Sequence, residues 1–120
     1  MADYAVPLED RQRHCIAQFD ARLRDRLKAT ITDAMIAEHK AKPAGQHSDA
    51  LERVLHYFRR APAAGKYAIL AVKPFAEYRM VALSGRRGVA PTPVGDAVYA
   101  SPEEAYHAVF LKRIDDLRAS

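Results

Sequence analysis

Apolar residues recur at spacings of three and four between Leu8 and Lys42, which is the pattern of one apolar face on a helix. The face consists of Ile16, Phe19, Leu23, Leu27, Ile31 and Met35. Residues 30–33 combine β-branched side chains with Thr32, a residue type that caps helices, so we expect a bend there. The pattern therefore predicts two helices within residues 8–42.

A further helix is predicted over residues 48–60. Ser48 or Asp49 is placed as its N-cap, and Glu52 is in position to reach back to the cap from the first turn. The predicted buried face of this helix consists of Leu51, Val54, Leu55 and Phe58.

The last helix is predicted over residues 102–118. Ser101 is its N-cap, Pro102 occupies the first helical position, and Glu104 completes a capping box. The packing positions on this helix are Ala105, Val109, Phe110, Ile114 and Leu117.

Two β-rich runs, over residues 66–73 and 77–83, are separated by a short proline-containing turn and predict a β-hairpin over residues 66–83. Residues 84–96 are rich in Gly and Pro and cannot carry a central strand. A short third strand is predicted over residues 97–100. Both faces of the hairpin are apolar, so the face that the helices cover only in part is a candidate for burial against another protein.

These elements predict an α+β fold: N-terminal helices, a small antiparallel sheet of two to three strands, and a C-terminal helix packed on the sheet. A chain of 120 residues has room for one domain, predicted over residues 1–120. The composition, 49% hydrophobic and 28% charged, is that of a folded protein.

The charge pattern narrows the range of partners and compartments. The net charge is +4, but acidic residues are scattered among the basic ones, which argues against a nucleic-acid partner. The longest apolar run, over residues 67–72, is far shorter than the ~20 residues that span a bilayer. Residues 1–14 lack an apolar secretion core, and Cys15 is the single cysteine, so we expect a cytoplasmic protein without membrane association.

No residue pattern in the chain predicts a catalytic centre. Cys15 and His14 are neighbours on a helix and point about 100° apart, which is the wrong geometry for a nucleophile and its base. No two of the five histidines have the helical spacing of a zinc pair. Glu38 with His39, and Glu103 and Glu104 with His107, are interpreted as surface or capping charge. We therefore predict no catalytic, cofactor-binding or metal-binding residues.

The aromatic residues between the 48–60 helix and the last helix are more informative. Tyrosine and arginine are the residue types that interface centres favour, although a mixed aromatic core would account for about half of these side chains. The predicted partner-interface residues are Tyr57, Arg59, Tyr67, Tyr78, Met80, Tyr99 and Tyr106.

Four sequence blocks together suggest a family. The blocks EHKAKPAGQHS (38–48), LERVLHYFRR (51–60), GKYAILAVKPFAEYRMVAL (65–83) and ASPEEAYHAVFLKRIDDLRA (100–119) resemble the small subunit of bacterial N,N-dimethylformamidase. The last block is the most specific part of the resemblance.

The resemblance implies a division of labour between two subunits. In that family a separate large subunit hydrolyses the amide with a mononuclear iron held by tyrosine and glutamate ligands, and the small subunit is an accessory that packs against it. The resemblance thus implies an accessory, non-catalytic chain in a hetero-oligomer, with no iron of its own. No catalytic residue of the family maps onto this chain.

Two alternatives stay open at this point. A strand pair, a third strand and a helix that begins near an EEA turn also resemble the arm-type DNA-binding domains of tyrosine recombinases, whose sheet enters the major groove. That interpretation needs a basic sheet face, whereas Arg79 is the one base well inside a strand. An adaptor for an unrelated partner would use the same apolar surface.

Overall fold

The computed structural model describes residues 8–120 and confirms the α+β class. Its elements in chain order are α1 (Leu8–Thr30), α2 (Asp33–Ala41), α3 (Asp49–Arg59), β1 (Tyr67–Lys73), β2 (Glu77–Ala82), β3 (Thr92–Pro93) and α4 (Pro102–Ala119). The contacts group the chain into two compact units that divide between Ile31 and Thr32, where the sequence predicts one domain over residues 1–120. Residues 1–7, part of the segment predicted to lack a secretion signal, lie outside the described residues.

The first unit contains α1, and the predicted break near residues 30–33 is confirmed at its end. The Thr30 hydroxyl donates to the Leu27 carbonyl over 2.8 Å, which satisfies a carbonyl of the last turn. In the second unit, the Thr32 side chain accepts from the Met35 N–H over 3.2 Å and caps α2. In α1, Ile16 and Phe19 belong to the predicted apolar face, and they are 61% and 62% exposed, so this part of the face is in contact with water.

The second unit is built on an antiparallel sheet with the strand order β1-β2-β3. The predicted hairpin is confirmed: Ile69 lies opposite Met80 and Leu70 opposite Arg79 in its register. The pairing is irregular between Ala71 and Lys73, near the turn.

The third strand lies outside the predicted range 97–100. It is Thr92–Pro93, which pairs with Val81 and Ala82 of β2. Proline lacks an N–H donor but is tolerated there because β3 is an edge strand. Within residues 97–100 only Tyr99 pairs with the sheet, through reciprocal backbone hydrogen bonds of 2.8 and 2.9 Å with Tyr78.

Helix α4 packs on the sheet with the face that its sequence pattern predicts. Its buried residues are Ala105, Val109, Phe110, Ile114 and Leu117. Helix α3 buries Leu51, Val54, Leu55 and Phe58, and the central strand β2 buries Tyr78, Met80 and Val81. Burial of these side chains, each worth ~1.5–3 kcal/mol when complete, is the main force that holds the second unit together.

The start of α3 is tied to α2 by a carboxylate. Ser48 caps α3 and accepts from the Leu51 N–H over 3.4 Å, while its own N–H and hydroxyl both donate to Glu38 over 2.7 Å. These two hydrogen bonds lower the pKa of Glu38. The predicted role of Glu52 at this cap is wrong, because its carboxylate faces His47 at 3.2 Å and Arg59 at 3.7 Å.

Three histidines join α2, the α2–α3 connection and α4. The Nδ1 atoms of His39 and His107 are 2.9 Å apart, so one ring donates a hydrogen bond to the other. The His39 ring also stacks on Phe110, with centroids 4.0 Å apart, and on His47, with centroids 5.9 Å apart. His39 is 3% exposed, which corrects its interpretation as surface charge.

Burial keeps the His39 ring neutral. Loss of hydration lowers the pKa of His39 to about 4, and electrostatic repulsion between its charged form and the neighbouring rings of His107 and His47 acts in the same direction. The pKa of His107 is lowered by burial and by Lys40. Of the three carboxylates predicted as surface or capping charge beside these histidines, Glu38 accepts from Ser48, Glu104 accepts from the Ala100 N–H over 3.2 Å, and Glu103 is exposed.

Acidification is expected to destabilise the second unit through His39. The pKa is about 4 in the folded chain and about 6.5 in an unfolded one, so between these values the unfolded state binds more protons. The contribution of His39 is fully present above about pH 6.5 and is lost as the pH falls toward 4, by up to about 1.4 kcal/mol per pH unit. Urea denaturation at several pH values between about 7 and 5 measures the slope.

The control for this prediction uses two histidine variants. His39→Gln cannot take up the proton at this position, so its free energy of unfolding should depend less steeply on pH, whatever its stability at neutral pH. His56 is an exposed histidine of α3, and His56→Gln should keep the wild-type slope. Equal slopes for wild type and His39→Gln would contradict the assignment.

Loss of the α3 cap is expected to cost more than loss of the α4 cap. Ser101→Ala removes an N-cap alone, at about 1 kcal/mol, whereas Ser48→Ala also removes a donor to Glu38. In a Glu38→Ala background the extra cost of Ser48→Ala should disappear. A double-mutant cycle measured by thermal unfolding tests this, and strictly additive effects of Ser48→Ala and Glu38→Ala would overturn it.

Candidate functional site

Three of the seven predicted interface residues surround one cleft of the second unit. Arg59 at the end of α3, Tyr67 at the start of β1 and Tyr106 in α4 line a cleft of about 440 Å³. Tyr106 is 49% exposed, and Arg59 is exposed. The fold thus brings together residues that lie far apart in the chain.

The lining of the cleft combines apolar side chains with two cations, of which Arg113 is half-buried and Arg59 is exposed at the rim. Its apolar lining includes Leu55 of α3, Ile69 of β1, and Val109 and Phe110 of α4. Arg59 and Arg113 supply the two positive charges of the lining. A cleft with this composition suits a ligand group that is partly apolar and carries negative charge.

Arg113 is a site residue that the sequence analysis missed. One Nη atom of its guanidinium donates to the Tyr67 carbonyl over 3.1 Å, and its Cζ lies 5.9 Å from the centroid of the Phe58 ring. Burial and the nearby charge of Arg59 lower its pKa from the usual value for arginine. The signal in the sequence is its spacing of three and four residues from Phe110 and Val109, which puts a cation on the apolar face of α4.

Arg59 is held at the rim from both sides. Its Nη1 lies 3.7 Å from Glu52, which is shared with His47, and its carbonyl accepts from Lys66 Nζ over 3.0 Å. Arg113, by contrast, has no ion pair with a carboxylate within residues 8–120. The less solvated of the two cations is therefore the one without a counterion.

Tyr67 closes the cleft on the side of β1. Its hydroxyl donates to the carboxylate of Asp116, which also pairs with Lys112 at 3.5 Å. The hydrogen bond to Asp116, followed by burial and the negative charge, raises the pKa of Tyr67 to about 12. The phenol is thus a neutral donor at physiological pH, and Asp116 is already engaged.

The other four predicted interface residues lie elsewhere. Tyr99 lines a second, mostly apolar cleft of about 390 Å³ with His107 and Leu111, and Tyr57 is half-buried beside Phe58. Tyr78 and Met80 are 8% and 6% exposed.

The burial of Tyr78 and Met80 corrects their assignment to a partner interface. Both side chains project from the central strand β2 into the core of the chain itself, and the Tyr78 hydroxyl accepts from the Phe75 N–H over 3.1 Å. This is the mixed aromatic core that the composition also allowed.

The exposed part of the sheet is mostly apolar, with Lys73 at the end of β1 as its exposed cation. Leu70 and Val72 of β1 are 48% and 46% exposed, and Arg79 is half-buried, with its Nε atom buried and without a hydrogen-bond partner in the described part. Phosphate contacts need exposed cations, so this surface favours a protein partner over nucleic acid.

Cys15 is exposed on α1, and the Nε2 atom of its neighbour His14 is hydrogen-bonded to the Gln18 amide at 3.1 Å. Residues 8–120 contain no group of three or more His, Cys, Asp or Glu side chains that could hold a metal ion. No helix in this part of the chain is long and apolar enough to cross a membrane.

Comparisons with known proteins agree on one family. A family model described as N,N-dimethylformamidase alpha subunit matches residues 14–120, which include every residue of the cleft. The chain is 37% identical over 115 residues to an N,N-dimethylformamidase alpha subunit from Alcaligenes sp, covering 92% of this chain and 86% of the relative. It is 37% identical over 114 residues to one from Paracoccus aminophilus, covering 91% and 79%. The chain therefore belongs to the N,N-dimethylformamidase alpha subunit family.

Proposed function

We propose that this chain is the accessory, small subunit of a cytoplasmic, iron-dependent amide hydrolase of the N,N-dimethylformamidase type. The complex hydrolyses N,N-dimethylformamide or a related small amide. Water adds across the C–N bond, with hydroxyl going to the acyl carbon and a proton to the nitrogen, so that a carboxylate and an amine are released. The role of this chain is to stabilise the large catalytic subunit.

The observation that carries the proposal is the family match over residues 14–120. Both relatives are named as one subunit of an enzyme, which implies at least one further kind of chain in each complex. Identity of 37% over more than nine-tenths of this chain supports a fold and a mode of assembly in common with them.

The chemistry is assigned to the large subunit, which we expect to hold the iron. Residues 8–120 contain no group of three or more side chains that could hold a metal ion. What its own residues can contribute is a binding surface, namely the 440 Å³ cleft with Arg59 and Arg113 and the exposed apolar positions of the sheet.

The hairpin extends that surface. Phe75 in its turn is 94% exposed and has a φ of 65°, a left-handed conformation that is uncommon for a bulky residue. Together with Leu70 and Val72 it places large apolar side chains at one end of the sheet. Apolar groups of this size in contact with water favour association with a protein partner.

Co-purification from the source cell tests the proposed function. The chain carrying a terminal tag is expected to be recovered with a larger protein, and the complex should contain iron and hydrolyse N,N-dimethylformamide or a related amide. The isolated chain should hydrolyse none above the uncatalysed rate. Native mass spectrometry, metal analysis and an assay for released amine measure these outcomes.

Three results would contradict the proposal. They are recovery of the chain alone, full hydrolytic activity of the isolated chain, or recovery with nucleic acid through binding that weakens steeply as salt rises. The salt dependence separates the interpretations, because phosphate contacts release counterions whereas an apolar subunit interface does not.

A further inference from the structure

The guanidinium of Arg113 has unused binding capacity. Arginine carries five N–H donors, and the described structure uses one of them, in the hydrogen bond to the Tyr67 carbonyl. The remaining donors have no hydrogen-bond partner within residues 8–120, and the ring of Phe58 covers the charge only at 5.9 Å. A carboxylate that reaches this half-buried cation forms charge-assisted hydrogen bonds with donors that have no partner within residues 8–120.

The acidic residues near the cleft cannot fill this role because they are engaged. Asp116 accepts from the Tyr67 hydroxyl and pairs with Lys112 at 3.5 Å. Glu52 faces His47 at 3.2 Å and Arg59 at 3.7 Å. The cleft therefore keeps an excess of positive charge beside its apolar lining.

The apolar lining strengthens the electrostatic attraction. Leu55, Val109 and Phe110 are all buried, so the lining next to Arg113 is poorly solvated. Charges attract each other more strongly in such surroundings than in bulk water. The planar guanidinium also matches a carboxylate through two parallel N–H···O bonds, which fixes the orientation of the bound group.

We propose that this cleft receives an aspartate or glutamate side chain of the large subunit, bound by the half-buried Arg113 and by Arg59 at the rim. The inference rests on the proposed function, since it names the chemistry of the same subunit contact. Charge complementarity selects the carboxylate. The open cleft of about 440 Å³ is larger than a small free anion needs. An acidic side chain of a protein segment fits it better, because the methylene groups of that side chain and of its neighbours cover the apolar lining.

The test uses the complex isolated with the wild-type chain. Arg113→Gln is expected to raise the dissociation constant of the complex at least tenfold, and Arg59→Glu to raise it by a similar factor through charge repulsion. Arg118→Gln removes one positive charge from an exposed position of α4 outside the cleft and should leave the constant unchanged. Surface plasmon resonance at two salt concentrations measures the constants and their salt dependence.

Arg59→Glu keeps the proposal testable if Arg113→Gln fails to fold. Arg113 also supports the Tyr67 carbonyl, so thermal unfolding of each variant is compared with wild type. Arg59 is 62% exposed at its side chain, and within residues 8–120 its guanidinium is ion-paired with Glu52 at 3.7 Å, so we expect Arg59→Glu to disturb the core less than Arg113→Gln. If Arg113→Gln does not fold, Arg59→Glu alone decides.

The outcomes separate the two proposals. Absence of any large partner for the wild-type chain refutes the proposed function. A wild-type complex whose affinity is unchanged by the cleft variants overturns only the carboxylate inference. Saturable binding of acetate to the free chain that is lost in Arg113→Gln, with complex formation unaffected, also overturns it, since the cleft would then hold a small free anion.

Discussion

The packing of the Phe110 ring is the contact on which the second unit depends. The ring lies parallel to His39 of α2 at 4.0 Å and nearly perpendicular to Phe58 of α3 at 6.2 Å, and it is 2% exposed. Helix α4 also packs on β1 and β2, so this one helix contacts α2, α3 and the sheet. The cleft is lined by residues of α2, α3, β1 and α4, so its shape follows from this packing.

Two basic side chains around Phe110 respond to the same poorly solvated surroundings in different ways. His39 loses its proton, because an imidazole can become neutral at an accessible pH and then exchange a hydrogen bond with His107. Arg113 cannot lose its proton under physiological conditions. It stays half-buried with a carbonyl and an aromatic ring as its neighbours. The histidine in the core is thus neutral, and the positive charge of Arg113 lies in the cleft.

Sequence reasoning succeeded where structure depends on neighbouring residues. The caps at Thr32, Ser48 and Ser101 each involve a side chain and an N–H three residues later, so local sequence predicts the starts of α2, α3 and α4. The pairing of His39 with His107 spans 68 positions and depends on how α2 meets α4, which no local pattern contains. Arg113 was missed for a different reason: its spacing from Phe110 and Val109 is a local signal, but a basic residue in the second half of a helix is also favoured by the helix dipole and so does not stand out. The strand β3 was not predicted because residues 84–96 were considered only for a central strand, which proline excludes, and not for an edge strand, which tolerates it.

The strand order leaves β1 at an edge of the sheet. Its last four residues, 70–73, are exposed, and Lys73 is its one charged side chain. Open edges with little charge can pair with the strands of other molecules. Single chains and chains paired through this edge are therefore in equilibrium. The concentration of paired chains rises with the square of the concentration of chains whose β1 edge is free. Lys73 and the irregular pairing beside it are the features of this stretch that oppose such pairing, so the open length of the edge is confined to residues 70–72.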